Sequence, residues 1–153
     1  MGKYAEPVSI SDEKVLFLDE YMETIRDIDH TAQTIRAMKE KYMRIQGIDY
    51  RSAGMPKGKG GWRDMSGFFA KIDRYERILN NSKIRARETR ARIQRAIMGL
   101  KRTNQRDVLY MRYLQGLSWH LIALEMGISE KKAQDLHNLA VKNLTIPANE
   151  RAQ

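Results

Sequence analysis

Gly116-Leu117-Ser118-Trp119-His120-Leu121-Ile122-Ala123-Leu124-Glu125-Met126-Gly127-Ile128-Ser129-Glu130-Lys131-Lys132-Ala133 is the stretch on which the reading of this chain turns. Ser118 and Ser129 each stand directly before a run of helix-forming residues, where an N-cap hydroxyl belongs. Gly127 supplies the positive φ that a tight turn between two helices needs. Ala123 is small enough for a second helix to cross over it. Ile128, just after the glycine, plugs the interior. From Glu130 the second helix runs to about Leu144, and Pro147 keeps it from extending much further. Ala133, Leu136 and Ala140 share its inner face and meet Ile122 and Met126.

Immediately upstream, Lys101-Arg102-Thr103-Asn104 is a short basic break, with Asn104 placed to cap a helix holding Val108, Leu109, Met111, Tyr113 and Leu114 that stops at Gly116. Three short helices with a tight turn between the last two make a helix-turn-helix. In that geometry the N-terminal half of the last helix faces a major groove. Its exposed positions are Glu130, Lys131, Lys132, Gln134, Asp135 and Asn138. Lysine donates to guanine O6 and N7, Gln and Asn pair with adenine, and Asp or Glu accepts from cytosine, so the mixture suits base reading. Ser129, Arg102, Arg106 and Arg112 are the expected phosphate contacts. Trp119 occupies a packing position.

Further out lie two long amphipathic helices. Leu18, Tyr21, Ile25, Ile28, Ala32 and Ile35 recur at spacings of 3 and 4, a heptad seam, with Ser11-Asp12-Glu13 as the helix start and Gly47 as its end. Phe68, Ile72, Tyr75, Leu79, Ser82, Ala86, Thr89, Ile93, Ala96 and Leu100 form a second seam whose centre is small. Arg85, Arg87, Arg90, Arg92 and Arg95 cover the other faces. The predicted organisation is all-α: a flexible tail over 1–10, a long antiparallel helical hairpin (a coiled-coil arm) with helices over about 11–46 and 65–100 and a glycine-rich loop over 47–64, a helix-turn-helix domain over 101–146, and a tail over 147–153. The same seams serve equally to pair two copies as a homodimer.

Charge is unevenly spread. Residues 1–50 carry seven Lys and Arg against ten Asp and Glu, residues 51–106 carry sixteen against four, and residues 107–153 five against five. The middle of the chain is a cationic field whose natural partner is a polyanion such as double-stranded DNA. The helix-turn-helix segment is itself near neutral, so non-specific affinity falls to the Arg-rich helix and to Lys101-Arg102.

Several classes are disfavoured. The chain has no cysteine, which excludes disulfides and Cys-based metal sites and fits a reducing compartment. No run approaches the ~18 apolar residues that cross a bilayer, so no membrane association is expected. Lys57-Gly58-Lys59-Gly60-Gly61 lacks the preceding strand and the Gly-Lys-Ser/Thr ending of a phosphate loop. His30, His120 and His137 are dispersed and make no metal site. No nucleophile–base pair or cofactor motif is present, so neither enzyme activity nor a cofactor is expected.

The segment from Val108 through Ala123, with Gly127-Ile128-Ser129-Glu130-Lys131-Lys132-Ala133 and Leu136-His137-Asn138-Leu139-Ala140, resembles sigma-70 region 4 over about 40 residues. The whole chain resembles the ArpU- and RinA-like regulators of phages and prophages of Gram-positive bacteria. It shares their Met55-Pro56-Lys57-Gly58 loop, long helix, Arg112-Tyr113 pair and Gly116-Leu117-Ser118-Trp119 pattern. That resemblance implies an activator of late phage genes, working in the bacterial cytoplasm on promoter DNA alongside RNA polymerase. The chain departs from sigma factors in lacking region 2, in carrying His120 and Leu121 where acidic residues are frequent, and in having few arginines on its reading helix. Two other roles fit the same residues: a DNA-packaging component similar to a small terminase subunit, and a helix-turn-helix protein that inhibits a host protein.

Overall fold

Every position of the second seam is shielded from solvent: Ile72, Ala86, Thr89, Ile93, Ala96 and Leu100 are buried, and Phe68, Tyr75, Leu79 and Ser82 half-buried. The first seam behaves alike, with Leu18 and Ile35 buried and Tyr21, Ile25, Ile28 and Ala32 half-buried. The heptad pattern is therefore the pattern of the packing itself. The computed structural model describes residues 10–51 and 66–148. It comprises α1 (Ile10–Arg51), α2 (Ser66–Met98), α3 (Thr103–Leu109), a π-helical turn over Tyr110–Leu114, α4 (Trp119–Met126) and α5 (Glu130–Asn143). Among the described residues there is no strand. The fold class is the expected one, all-α, with a long antiparallel helical hairpin and a C-terminal helix-turn-helix. No described helix is long and apolar enough to cross a membrane.

Three local expectations are corrected. Helix α1 does not stop at Gly47 but continues to Arg51. An internal glycine costs a helix only about 1 kcal/mol relative to alanine. No proline follows until Pro56. Ser11 is not the N-cap, because the helix already includes Ile10. Asn104 lies inside α3 rather than capping it: Arg102, extended at φ −96° and ψ 128°, occupies the cap position without a side-chain bond. The rest of the glycine-rich loop, 52–65, with Met55-Pro56-Lys57-Gly58 and Lys57–Gly61, lies outside the described residues, as do the tails at 1–9 and 149–153.

The chain divides into two compact units. One spans Ile25–Arg85 and contains the C-terminal part of α1 and the N-terminal part of α2. There Ile35 and Ile72 are buried, Tyr42 stacks on Phe68 at 5.4 Å, and Phe69 meets Tyr42 edge-on at 5.2 Å. Lys39 and Glu76 form an ion pair 2.7 Å long, with both side chains about half exposed. A pair so exposed adds at most about 1 kcal/mol. The other unit joins the start of α1, up to Thr24, to everything from Ala86 onward. Its core runs without a break from Phe17 and Leu18 through Ile93, Ile97 and Leu100 to Val108, Leu109, Ile122, Ala133, Ala140, Val141, Leu144 and Ile146. Its interior is completed by both long helices.

Two arginines assigned to the cationic face of α2 work inside this second unit. Arg92 pairs with Glu20 at 2.7 Å and lies over the Phe17 ring. Arg90 sits over the Tyr21 ring and donates to the Tyr110 hydroxyl at 3.2 Å. Their guanidinium stems cover apolar surface as they pair, a use for which arginine suits better than lysine. Arg85, Arg87 and Arg95 are exposed.

Gly116 and Gly127 have φ of +70° and +65°. A Cβ at Gly127 would meet open space, whereas one at Gly116 would lie 2.7 Å from the Met22 Cε. Gly127→Ala should therefore cost only the left-handed backbone penalty, about 1 kcal/mol, and Gly127→Asn less. Gly116→Ala should cost more, because Met22 must also move. Equilibrium denaturant unfolding of the three variants checks the ranking; equal losses at both glycines would refute it.

Candidate nucleic-acid interface

The turn is built by its backbone. The Ile128 N–H bonds the Ala123 carbonyl at 3.0 Å and the Gly127 N–H reaches Leu124 O at 3.3 Å. These two bonds close the last turn of α4 over a left-handed glycine, with Ile128 following as the apolar contact. Ser118 Oγ accepts from the Leu121 N–H at 3.3 Å, and Ser129 Oγ from the Lys132 N–H at 3.2 Å. Both serines therefore cap as expected. Ala123 is buried at the crossing, Ala133 and Ala140 are fully buried, and Met126, Ile128 and Leu136 pack against the core.

With its inner face so committed, α5 presents the remainder outward. Ser129, Glu130, Lys131, Lys132, Gln134, Asp135 and Asn138 are all exposed. Lys131, Gln134, Asp135 and Asn138 fall at i, i+3, i+4 and i+7 along one face, with Glu130 and Lys132 flanking it. Glu130 carries a local partner, His120 Nδ1 at 3.1 Å, in an exposed pair.

The phosphate contacts expected from sequence separate into two groups. Arg102 is exposed at the start of α3. Arg106, one turn on, is half-buried; its guanidinium donates to Thr103 Oγ1 at 3.2 Å, and its Nε is buried without a partner among the described residues. Arg112 has an internal task. It donates to the Leu117 carbonyl at 3.0 Å and its guanidinium lies 4.7 Å from the Trp119 ring centroid. The π-helical turn places it there, with the Gln115 N–H skipping back to Tyr110 O at 3.1 Å. The extra residue of such a turn rotates the side chains that follow. Nothing in the local composition announces it.

Sequence reasoning also missed a connection beside the exposed face of α5. The Tyr113 hydroxyl and His137 Nε2 are 2.7 Å apart, and His137 Nδ1 and Asn138 Oδ1 3.1 Å. Trp119 packs edge-on against the His137 ring at 5.1 Å. Burial is the main cause that holds the His137 pKa below its usual 6.5, with the nearby Arg112 charge assisting and the Asn138 bond opposing. Burial, then Asp19, pushes the Tyr113 phenol up to about 12. Both rings are therefore neutral near pH 7, and the phenol keeps its proton to donate. Residues 24 positions apart in sequence meet here because α5 folds back over the π-helical turn, which spacing does not reveal.

No family model, curated protein or solved structure matches the chain.

A histidine whose folded pKa is lowered binds its proton more readily in the unfolded chain. Its stabilising contribution is complete above about pH 6.5 and declines as pH falls below that value. Unfolding free energy of the native sequence should thus fall between about pH 7.5 and 5 more steeply than that of His137→Gln. Parallel curves from denaturant titrations would show that His137 is not held neutral.

Proposed function

We propose that the chain is a sequence-specific transcription regulator of a phage or prophage that binds double-stranded promoter DNA through α4 and α5. The observation that carries this reading is the outer face of α5. Its N-terminal half is held by a capped, glycine-turned crossing and shows an unbroken set of polar side chains of mixed donor and acceptor character. Such a face suits hydrogen bonding to base edges better than packing on an apolar partner. Glu130, Lys131, Lys132, Gln134, Asp135 and Asn138 are the base-reading residues, and Ser129, Arg102 and Arg106 contact the backbone. The exposed cations of α2 supply sequence-independent affinity. The resemblance to ArpU- and RinA-like regulators sets the task as activation of late genes in the bacterial cytoplasm, alongside RNA polymerase, with the hairpin as the surface for a homodimer. No cofactor or catalysis is needed.

A second reading draws on α4, where Leu121 is 45% and Leu124 70% exposed. Two leucines one turn apart favour a protein-facing surface, as in an inhibitor of a host protein.

Selection of genomic fragments by the purified protein at about 150 mM salt tests both, since lower salt lets the basic helix hold any DNA. The expected outcome is enrichment of one short motif. Lys132→Ala or Gln134→Ala should weaken binding to it by about 1–3 kcal/mol with unfolding stability unchanged. Uniform, salt-sensitive retention of all fragments would overturn the regulator reading and favour the protein-facing one.

A further inference from the structure

We propose that Tyr113 and His137 are positioning residues that fix Asn138 as a hydrogen-bond donor toward DNA, so that Asn138 selects a base whose major-groove edge presents an acceptor, and not an amino group, at the point it reaches. The inference rests on the DNA-binding reading above and adds the direction in which one reading side chain points.

Proton counting decides that direction. A neutral imidazole has one N–H and one bare nitrogen. Both nitrogens of His137 face oxygens, Nδ1 the Asn138 amide oxygen at 3.1 Å and Nε2 the Tyr113 hydroxyl at 2.7 Å. An amide oxygen only accepts, so the proton sits on Nδ1. The bare Nε2 then accepts, and the Tyr113 O–H donates. The phenol can fill that role because it is buried and keeps its proton well above neutrality. The ring cannot swing out of this line, since the Trp119 edge packs against it and the Tyr113 ring lies tilted beside it at 5.6 Å. With its oxygen held by His137, the exposed Asn138 side chain turns its NH₂ outward. In the major groove that group matches N7 of a purine, O6 of guanine or O4 of thymine, and mismatches the amino groups of cytosine and adenine.

Removal of the phenol hydroxyl unlocks the chain. Without a donor at Nε2 neither tautomer of His137 is fixed, because Nδ1 can donate to the amide oxygen of Asn138 or accept from its NH₂. The exposed amide then presents either end outward, and its preference for an acceptor is lost.

Two measurements test this. In the free native protein, long-range nitrogen–proton NMR correlations should show His137 as the Nδ1–H tautomer near pH 7; an Nε2–H tautomer overturns the proposal without touching the DNA-binding reading. Fragment selection with Tyr113→Phe should then relax the base preference at a single position of the motif, with discrimination there reduced about tenfold. Asn138→Asp, an exposed change that leaves only acceptors outward, should move the preference at the same position toward an amino-bearing base, and serves if Tyr113→Phe fails to fold. An unchanged motif in Asn138→Asp or in folded Tyr113→Phe overturns the proposal. If the native protein selects no motif although the Nδ1–H tautomer is present, the DNA-binding reading has failed and the role of Asn138 falls with it.

Discussion

Short helices do not stand by themselves. The cost of nucleating the first turn leaves a helix of only two or three turns marginal in water. Helix α3 has 7 residues. Helix α4 has 8 residues. Both hold their angles only because a common interior fixes them, and that interior is not theirs alone. Phe17 and Leu18 come from α1, and Ile93, Ala96, Ile97 and Leu100 from α2. The remainder of the second unit follows from this dependence. Arg90 and Arg92 are drawn inward to the tyrosines and to Glu20 that line the joint, and Met22 lies over the glycine that follows the π-helical turn.

The same interior determines what the surface can do. Ala133 and Ala140 admit close approach of α5 and commit one side of it, which leaves the polar side chains of its first two turns on the opposite side. Arg112 and Trp119 brace the segment between the π-helical turn and α4, so a cation that sequence position would hand to DNA serves the scaffold instead. Exposed arginines and lysines thus lie on α2, while the exposed side chains of α5 carry both signs of charge.

Much of this was legible in residue order. Heptad spacing located both long helices and the residues they bury, because packing and pattern share one period. The crossing was legible too, and for a specific reason. Ser118 and Ser129 cap, and each follows a positive-φ glycine by two residues; Ser11 and Asn104 have no such glycine before them and do not cap. A hydroxyl or amide at a plausible place is worth only about 1 kcal/mol and yields to packing, whereas a left-handed glycine fixes the chain's direction. What spacing could not reveal were contacts made by folding back: Arg112 on Trp119, Tyr113 on His137, and the share of both long helices in the C-terminal core. The π-helical turn behind the first two is an extra residue in a helix, invisible to any periodicity that assumes the regular α-helical turn.

The second unit is discontinuous in sequence, and this bears on how the chain comes off the ribosome. The Lys14 ammonium bonds the carbonyl of Lys142, and Phe17 shares a core with Leu144 and Ile146. The earliest helical turns therefore lack part of their native neighbours until Leu144 and Ile146 have been translated. Contacts of such long sequence separation slow folding, since a large loop must close before they form. Until then Phe17 and Leu18 are apolar side chains on a nascent helix with nothing of their own to cover them. Assembly of the unit consequently waits on residues more than a hundred positions further along, and in the interval before it the chain is exposed to chaperones and proteases.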